Sequence, residues 1–179
     1  NKGGLRIIDV SNPSNPAEVG FFTTEGCSYD VAVSGNYAYV ADGDEGGLQI
    51  IDISNPANLT RVGFLYTDGT TRDISLNGNY AYLADGGSGL RIVDISNPAT
   101  PTQVGLIEHE GSAFGLKITG NYAYIAAYNK GLRIIDITNL ASPTEIGYFV
   151  TPGYSYDVAV SSNYAYVADE DWGLRIIDI

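Results

Sequence analysis

Six aspartates recur at matched places in this chain and are its best candidates for chemistry. Asp30, Asp73 and Asp157 each open a short apolar run, and Asp42, Asp85 and Asp169 each close the run that follows. Clustered carboxylates with nearby loop carbonyls can ligate a hard cation such as calcium. Two carboxylates several ångströms apart can also run glycoside hydrolysis. One copy of the pattern lacks both acids and has Gly115 and Ala127 instead. That joint loss suggests one local arrangement. The plainer reading carries more weight. An acid at a strand end accepts N–H bonds from a tight loop, or pairs with Arg6, Arg91, Arg133 or Arg175. Simple pairing inside a copy is weakened by Arg133, which persists where both acids are gone, and by Gln49, which replaces arginine where both are present.

A second set of candidates lies beside the first. The residue before the opening acid is Tyr29, Arg72, Phe114 or Tyr156. Such an aromatic-rich collar suits carbohydrate or peptide recognition. Trp172, the single tryptophan, falls in the acidic stretch from Asp169 and is expected to be an exposed ligand contact. The stretch Asp42-Gly43-Asp44-Glu45-Gly46 resembles half of an EF-hand loop but lacks the spacing that ends in a twelfth-position glutamate. Calcium is therefore a weak expectation, and no other cofactor is expected. The lone Cys27 excludes an intrachain disulfide, and with the lone His109 it argues against zinc sites and a Ser-His-Asp triad.

The elements that position these residues repeat. Asn-Tyr-Ala-Tyr stands at Asn36, Asn79, Asn121 and Asn163, a period near 40 that marks a stacked or radial architecture. Each unit holds four strand-like segments, exemplified by Tyr29 to Ser34, Tyr37 to Asp42, Leu48 to Ser54 and Arg61 to Tyr66. We call them a, b, c and d. All are rich in Val, Ile and Tyr, as a pleated sheet requires. Gly35-Asn36 and its later copies predict two-residue hairpins between a and b. Asn12-Pro13, Asn55-Pro56 and Asn97-Pro98 mark the turns between c and d. Segments a, b and c read as continuous apolar runs rather than alternating ones, which fits strands covered on both faces. The expected fold is all-β: a β-propeller of four-stranded antiparallel blades. A β-sandwich would explain the strands but not the strict period. Segment a should be innermost, placing the opening acids and the collar around the channel mouth.

Charge narrows the partners. With 9 Lys and Arg against 21 Asp and Glu, the net charge is −12, a field that repels nucleic acid and anionic membranes. The sequence contains no apolar run long enough to span a bilayer as a helix.

The string Gly-Leu-Arg-Ile-Ile-Asp-Ile, at Gly4, Gly89, Gly131 and Gly173 in near-identical form and at Gly47 with Gln49, resembles the LVIVD repeat. The Asp-Val-Ala-Val and Asn-Tyr-Ala-Tyr-Val-Ala-Asp strings match the same family pattern. The resemblance implies a propeller found in secreted or surface-attached proteins, with no catalytic motif to transfer. On this reading residues 1–179 form one propeller region. A partial blade covers 1–27, repeats cover about 28–70, 71–112 and 113–154, and an incomplete last repeat covers 155–179. The count gives seventeen strands, one more than four blades need. The chain is then part of a larger ring, or two copies share one ring as a homo-oligomer, or it closes alone. The expected function is a non-enzymatic binding or structural module, extracellular or at the cell surface, contacting protein or glycan without membrane insertion. The rivals are a carboxylate-dependent hydrolase at the channel mouth and a self-assembling structural subunit.

Overall fold

The computed structural model describes residues 3–179, so the first two positions of the expected leading piece 1–27 lie outside the described residues. Among the described residues, seventeen strands form five antiparallel sheets. A leading ribbon pairs β1 (Gly4–Asp9) with β2 (Ala17–Thr23). Blade I runs β3 (Asp30–Ser34), β4 (Tyr37–Ala41), β5 (Leu48–Asp52) and β6 (Thr60–Leu65). Blade II runs β7 (Asp73–Asn77), β8 (Tyr80–Ala84), β9 (Leu90–Asp94) and β10 (Thr102–Ile107). Blade III runs β11 (Gly115–Thr119), β12 (Tyr122–Ala126), β13 (Leu132–Asp136) and β14 (Thr144–Phe149). A three-stranded sheet of β15 (Asp157–Ser161), β16 (Tyr164–Ala168) and β17 (Leu174–Asp178) ends the series.

The strands within a blade follow chain order, and the first strand of each blade neighbours the first strand of the next. Strands β3, β7, β11 and β15 are therefore the inner wall of a partial β-propeller. The apolar runs follow from this layering. The middle strands β4, β5, β8 and β9 are buried at nearly every position, because a neighbouring blade covers each face. Tyr82, Ala84, Leu90 and Ile92 of blade II pack against Leu116, Ala123, Ile125 and Ile135 of blade III. The same joint recurs between blades I and II. It recurs again between blade III and the last sheet.

Two repeated devices set the blade shape. Asp9, Asp52, Asp94 and Asp136 each accept the backbone N–H two residues on, at 2.8 Å, and so hold the turn between the third and fourth strands. The hydroxyl and the backbone N–H of the residue two on both favour the ionised carboxylate and lower each pKa, the hydroxyl foremost at Asp52 and Asp136 and the N–H foremost at Asp9 and Asp94. The fourth strand then carries a bulge beside a glycine. A Cβ on Gly20, Gly63 or Gly105 would overlap the carbonyl oxygen of Pro56, Pro98 or Leu140 in the next blade. Only glycine lets the turn of one blade sit on the outer strand of the one before it. Gly63→Ala is expected to cost about 1–3 kcal/mol, the usual penalty for overpacking, read as a lower denaturant midpoint.

Two of the connections between second and third strands are short helical turns. Gly43–Gly46 forms one α-helical turn and Glu170–Trp172 one 3₁₀ turn. No helical periodicity could announce them, because each is a single turn.

Candidate functional site

The closing acids face inward and complete a buried network at the entrance of their own blade. Asp85 accepts from the Gly69 N–H at 3.2 Å, the Thr71 hydroxyl at 2.8 Å and Arg91 Nε at 2.6 Å. Thr67 extends the chain to Thr71. Asp42 repeats this with Gly26 and Ser28, and Asp169 with Gly153 and Ser155. Arg175 approaches Asp169 at 3.5 Å. All three carboxylates are buried. Pairing with arginine holds in blade II and the last sheet. In blade I, Gln49 donates instead to the Gly46 carbonyl, and Arg61 from the fourth strand donates to Gln49. Burial opposes the charge on Arg91, but Asp85 and Asp68 outweigh it and raise its pKa.

Blade III replaces the whole network at once. Ala127 and Ala113 stand where the other copies have the acid and the hydroxyl, and His109 stands where they have threonine. The His109 ring is part-buried and its Nδ1 lies 3.1 Å from the Glu110 carbonyl. Burial, with the Arg133 charge beside it, holds the His109 pKa below its ordinary value against the pull of that carbonyl. Arg133 keeps Glu145 at 3.1 Å and Glu110 at 3.6 Å, while its Nε has no partner.

The opening acids do something different. The Asp30 carboxylate reaches into the next blade and accepts the Ile74 N–H at 3.1 Å. Asp73 does the same to Leu116, at 2.6 Å. Each ties one inner strand to the next. Gly115 ends the series: a Cβ there would stand 2.7–2.8 Å from the Tyr156 carbonyl and Asp157. The Val158 N–H is bonded instead by the carboxylate of its own neighbour, Asp157, at 2.8 Å. Asp30 and Asp73 crowd the same Ile74 N–H, which Asp73 also bonds at 2.7 Å. Burial, then the Asp30 carboxylate, push the Asp73 pKa up to about 7 despite the two N–H bonds that favour its charge.

The two acidic positions therefore belong to two networks, not to one arrangement. The ladder ends at Asp30 opposite Ala41, and the Tyr29 N–H donates to the Ala41 carbonyl at 2.8 Å. The closing acids turn back to their own blade rather than toward a neighbour. Among the described residues no three His, Cys, Asp or Glu side chains cluster in a metal-holding arrangement.

The collar residues do meet. The Arg72 guanidinium lies 5.1 Å from the Tyr29 ring and 4.1 Å over Phe114. Phe114 meets the Tyr156 ring edge-on at 5.2 Å and stacks on Tyr128 at 4.9 Å. Tyr128 stacks in turn on Tyr154 at 4.3 Å. The result is one continuous row across the ends of four inner strands. Tyr128 and Tyr154 were not anticipated. The signal was present: Tyr128 occupies the place of Gly43 and Gly86, and all three adopt positive φ, 47°, 63° and 55°. Trp172 stands apart from the row, 59% exposed, with Arg175 5.6 Å from its ring centre.

The LVIVD repeat model matches five times, over residues 1–24, 25–67, 68–108, 110–151 and 152–179. The chain belongs to the LVIVD repeat family. No curated protein matches it significantly. Among solved structures, this LVIVD chain is similar to the computationally designed Ika4 protein, with a TM-score of 0.69 and 13% identity over 87% of this chain and 92% of that one. It is also similar to the computationally designed Ika8 protein, with a TM-score of 0.70 and 13% identity over 90% of this chain and 49% of that one. At these identities the likeness concerns the fold. LVIVD membership and the fold likeness together make the chain a propeller-like repeat module.

Proposed function

We propose that this LVIVD protein is a non-enzymatic binding module, secreted or surface-exposed, that contacts protein or glycan through the aromatic row at its inner-strand ends. The observation that carries this reading is Tyr128. A tyrosine at φ 47° costs about 1–2 kcal/mol relative to ordinary backbone, and strain of this kind is kept where side-chain placement matters. It joins Phe114 of its own blade to Tyr154 of the next unit and so completes the row. Tyr29, Tyr154 and Tyr156 in that row are exposed, and aromatic and arginine side chains dominate binding energies at interfaces. The test is a glycan array beside a peptide array, followed by titration calorimetry on any hit. Phe114→Ala with Tyr128→Gly is expected to weaken binding tenfold or more. Silence on both arrays, or affinity unchanged by the double variant, contradicts the proposal.

One observation favours a hydrolase: Asp73 holds a proton near neutral pH beside the second carboxyl of Asp30. Against it, both carboxyls are engaged by strand N–H groups. Turnover of a glycoside panel that Asp73→Asn abolishes would establish the hydrolase; an inert wild type would dismiss it.

A further inference from the structure

Tyr29, Phe114 and Tyr156 each precede an inner strand, and Arg72 holds the same place in blade II. The arginine keeps the stack that a ring would make there. Its guanidinium lies 4.1 Å over the Phe114 ring and 5.1 Å from the Tyr29 ring. What it adds is a fixed charge and a planar fork of N–H donors.

That charge has no partner inside the chain. Among the described residues, Arg6, Arg61, Arg91, Arg133 and Arg175 each lie 2.6–3.5 Å from a carboxylate, and Arg72 has none in range. Acids outnumber bases 21 to 9, so the chain has carboxylates enough to pair every cation. The Arg72 Nε is buried and has no hydrogen-bond partner. The half-buried side chain therefore offers its terminal N–H groups to solvent. A carboxylate fits two such N–H groups with parallel bonds.

The neighbouring rings favour the same ligand charge. Phe114 carries the Arg72 guanidinium at 4.1 Å and the Tyr128 ring, stacked at 4.9 Å. Two groups at that range cannot share one face, so both faces of Phe114 are covered. Tyr128 is stacked in turn between Phe114 and Tyr154. A stack covered on its faces presents ring edges, and the edge is the positive part of an aromatic quadrupole. Arg72 thus stands in a strip that attracts negative charge, within a protein whose net charge is −12.

The strand ends beside the strip favour a sugar over a peptide. An extended peptide docks by pairing with free strand N–H groups. Here the Ile74 N–H is taken by Asp30 and Asp73, and the Leu116 N–H by Asp73. A sugar acid needs no strand edge: its carboxylate meets the arginine, and its hydroxyls meet the tyrosines on either side. We infer, on the reading that the aromatic row is the ligand surface, that the row takes carboxylated sugars, with the carboxylate seated on the terminal nitrogens of Arg72.

The test is titration calorimetry of the full chain with short oligomers of galacturonic acid and of glucuronic acid, and with sialyllactose. Each is run beside its methyl ester, which keeps the sugar and removes the charge. At least one acid is expected to bind tenfold or more tighter than its ester. Arg72→Tyr restores the residue type of the other copies. It is expected to keep the denaturant midpoint and to bind acid and ester alike. Arg72→Lys keeps the charge without the fork and is expected to weaken binding of the acid at least threefold. Acid preference unchanged in both variants would overturn the proposal. So would a wild type that binds acid and ester equally; if Phe114→Ala with Tyr128→Gly then weakens both, the row remains a ligand surface for neutral glycans. An aspartate-rich peptide bound more tightly than every sugar acid would give the site to peptides instead. Silence toward all the sugars and the peptide would remove both the carboxylate site and the row as a ligand surface.

Discussion

Asp85→Ala is expected to destabilise the protein by about 3–5 kcal/mol, the range for removing one partner of a buried ion pair. Asp85 is fully buried, and Arg91, 6% exposed, donates to it at 2.6 Å. The substitution strands more than the arginine. The Thr71 hydroxyl and the Gly69 N–H lose the same acceptor. Asp68 does not compensate, because it is 92% exposed and an exposed pair is worth under about 1 kcal/mol. Adding Arg91→Leu should recover part of the loss, since an apolar side chain leaves no uncompensated charge. Blade III shows how this replacement is made: Ala127 is accompanied by Ala113, by the larger His109, and by Glu145 on Arg133. Guanidinium denaturation of the single and double variants checks the order. A single variant within 1 kcal/mol of the wild type would show that the network holds nothing.

Asp73→Asn is expected to stabilise the protein at neutral pH and remove a slope from its pH profile. The folded-state pKa is raised to about 7 from an ordinary 3.8, so the folded chain holds a proton that the unfolded chain releases. Stability contributed by protonated Asp73 is fully present below about pH 4 and is lost as pH climbs from there through 7. Asparagine keeps an oxygen to accept the Leu116 N–H and has no charge to place beside Asp30. Denaturant midpoints from pH 4 to pH 8 should therefore fall more steeply for the wild type than for the variant. Parallel profiles would mean that Asp73 holds no extra proton in the folded chain.

Much of the fold was legible because its signals are local and repeated. The hairpins at Gly35, Gly78 and Gly120 adopt φ of 57–58°, and Ser162 follows at 53°. The layering was readable from Ala-Tyr-Val-Ala runs that admit no polar face. The site was less legible. Position predicted that Tyr29, Arg72, Phe114 and Tyr156 would gather, since all precede an inner strand. Tyr128 and Tyr154 reach the row from other loops, Tyr128 by a positive φ that tyrosine seldom adopts. The acids failed for a related reason. Asp30 and Asp42 sit at one end of one hairpin, yet their partners, Ile74 and Gly26, lie outside it. Only the three-dimensional path of the entry loop and the next blade decides which acid faces which group.

The radial order of the blades is the claim on which both the aromatic row and the Asp73 proton rest. Methyl and aromatic nuclear Overhauser contacts measure it directly. The account predicts contacts from Ile50 to Leu83, from Ile92 to Ile125 and from Leu132 to Val167, each joining a blade only to the next. Contacts that skip a blade, such as Ile50 to Ile125 or Leu48 to Leu132, would mean two facing layers and would contradict it.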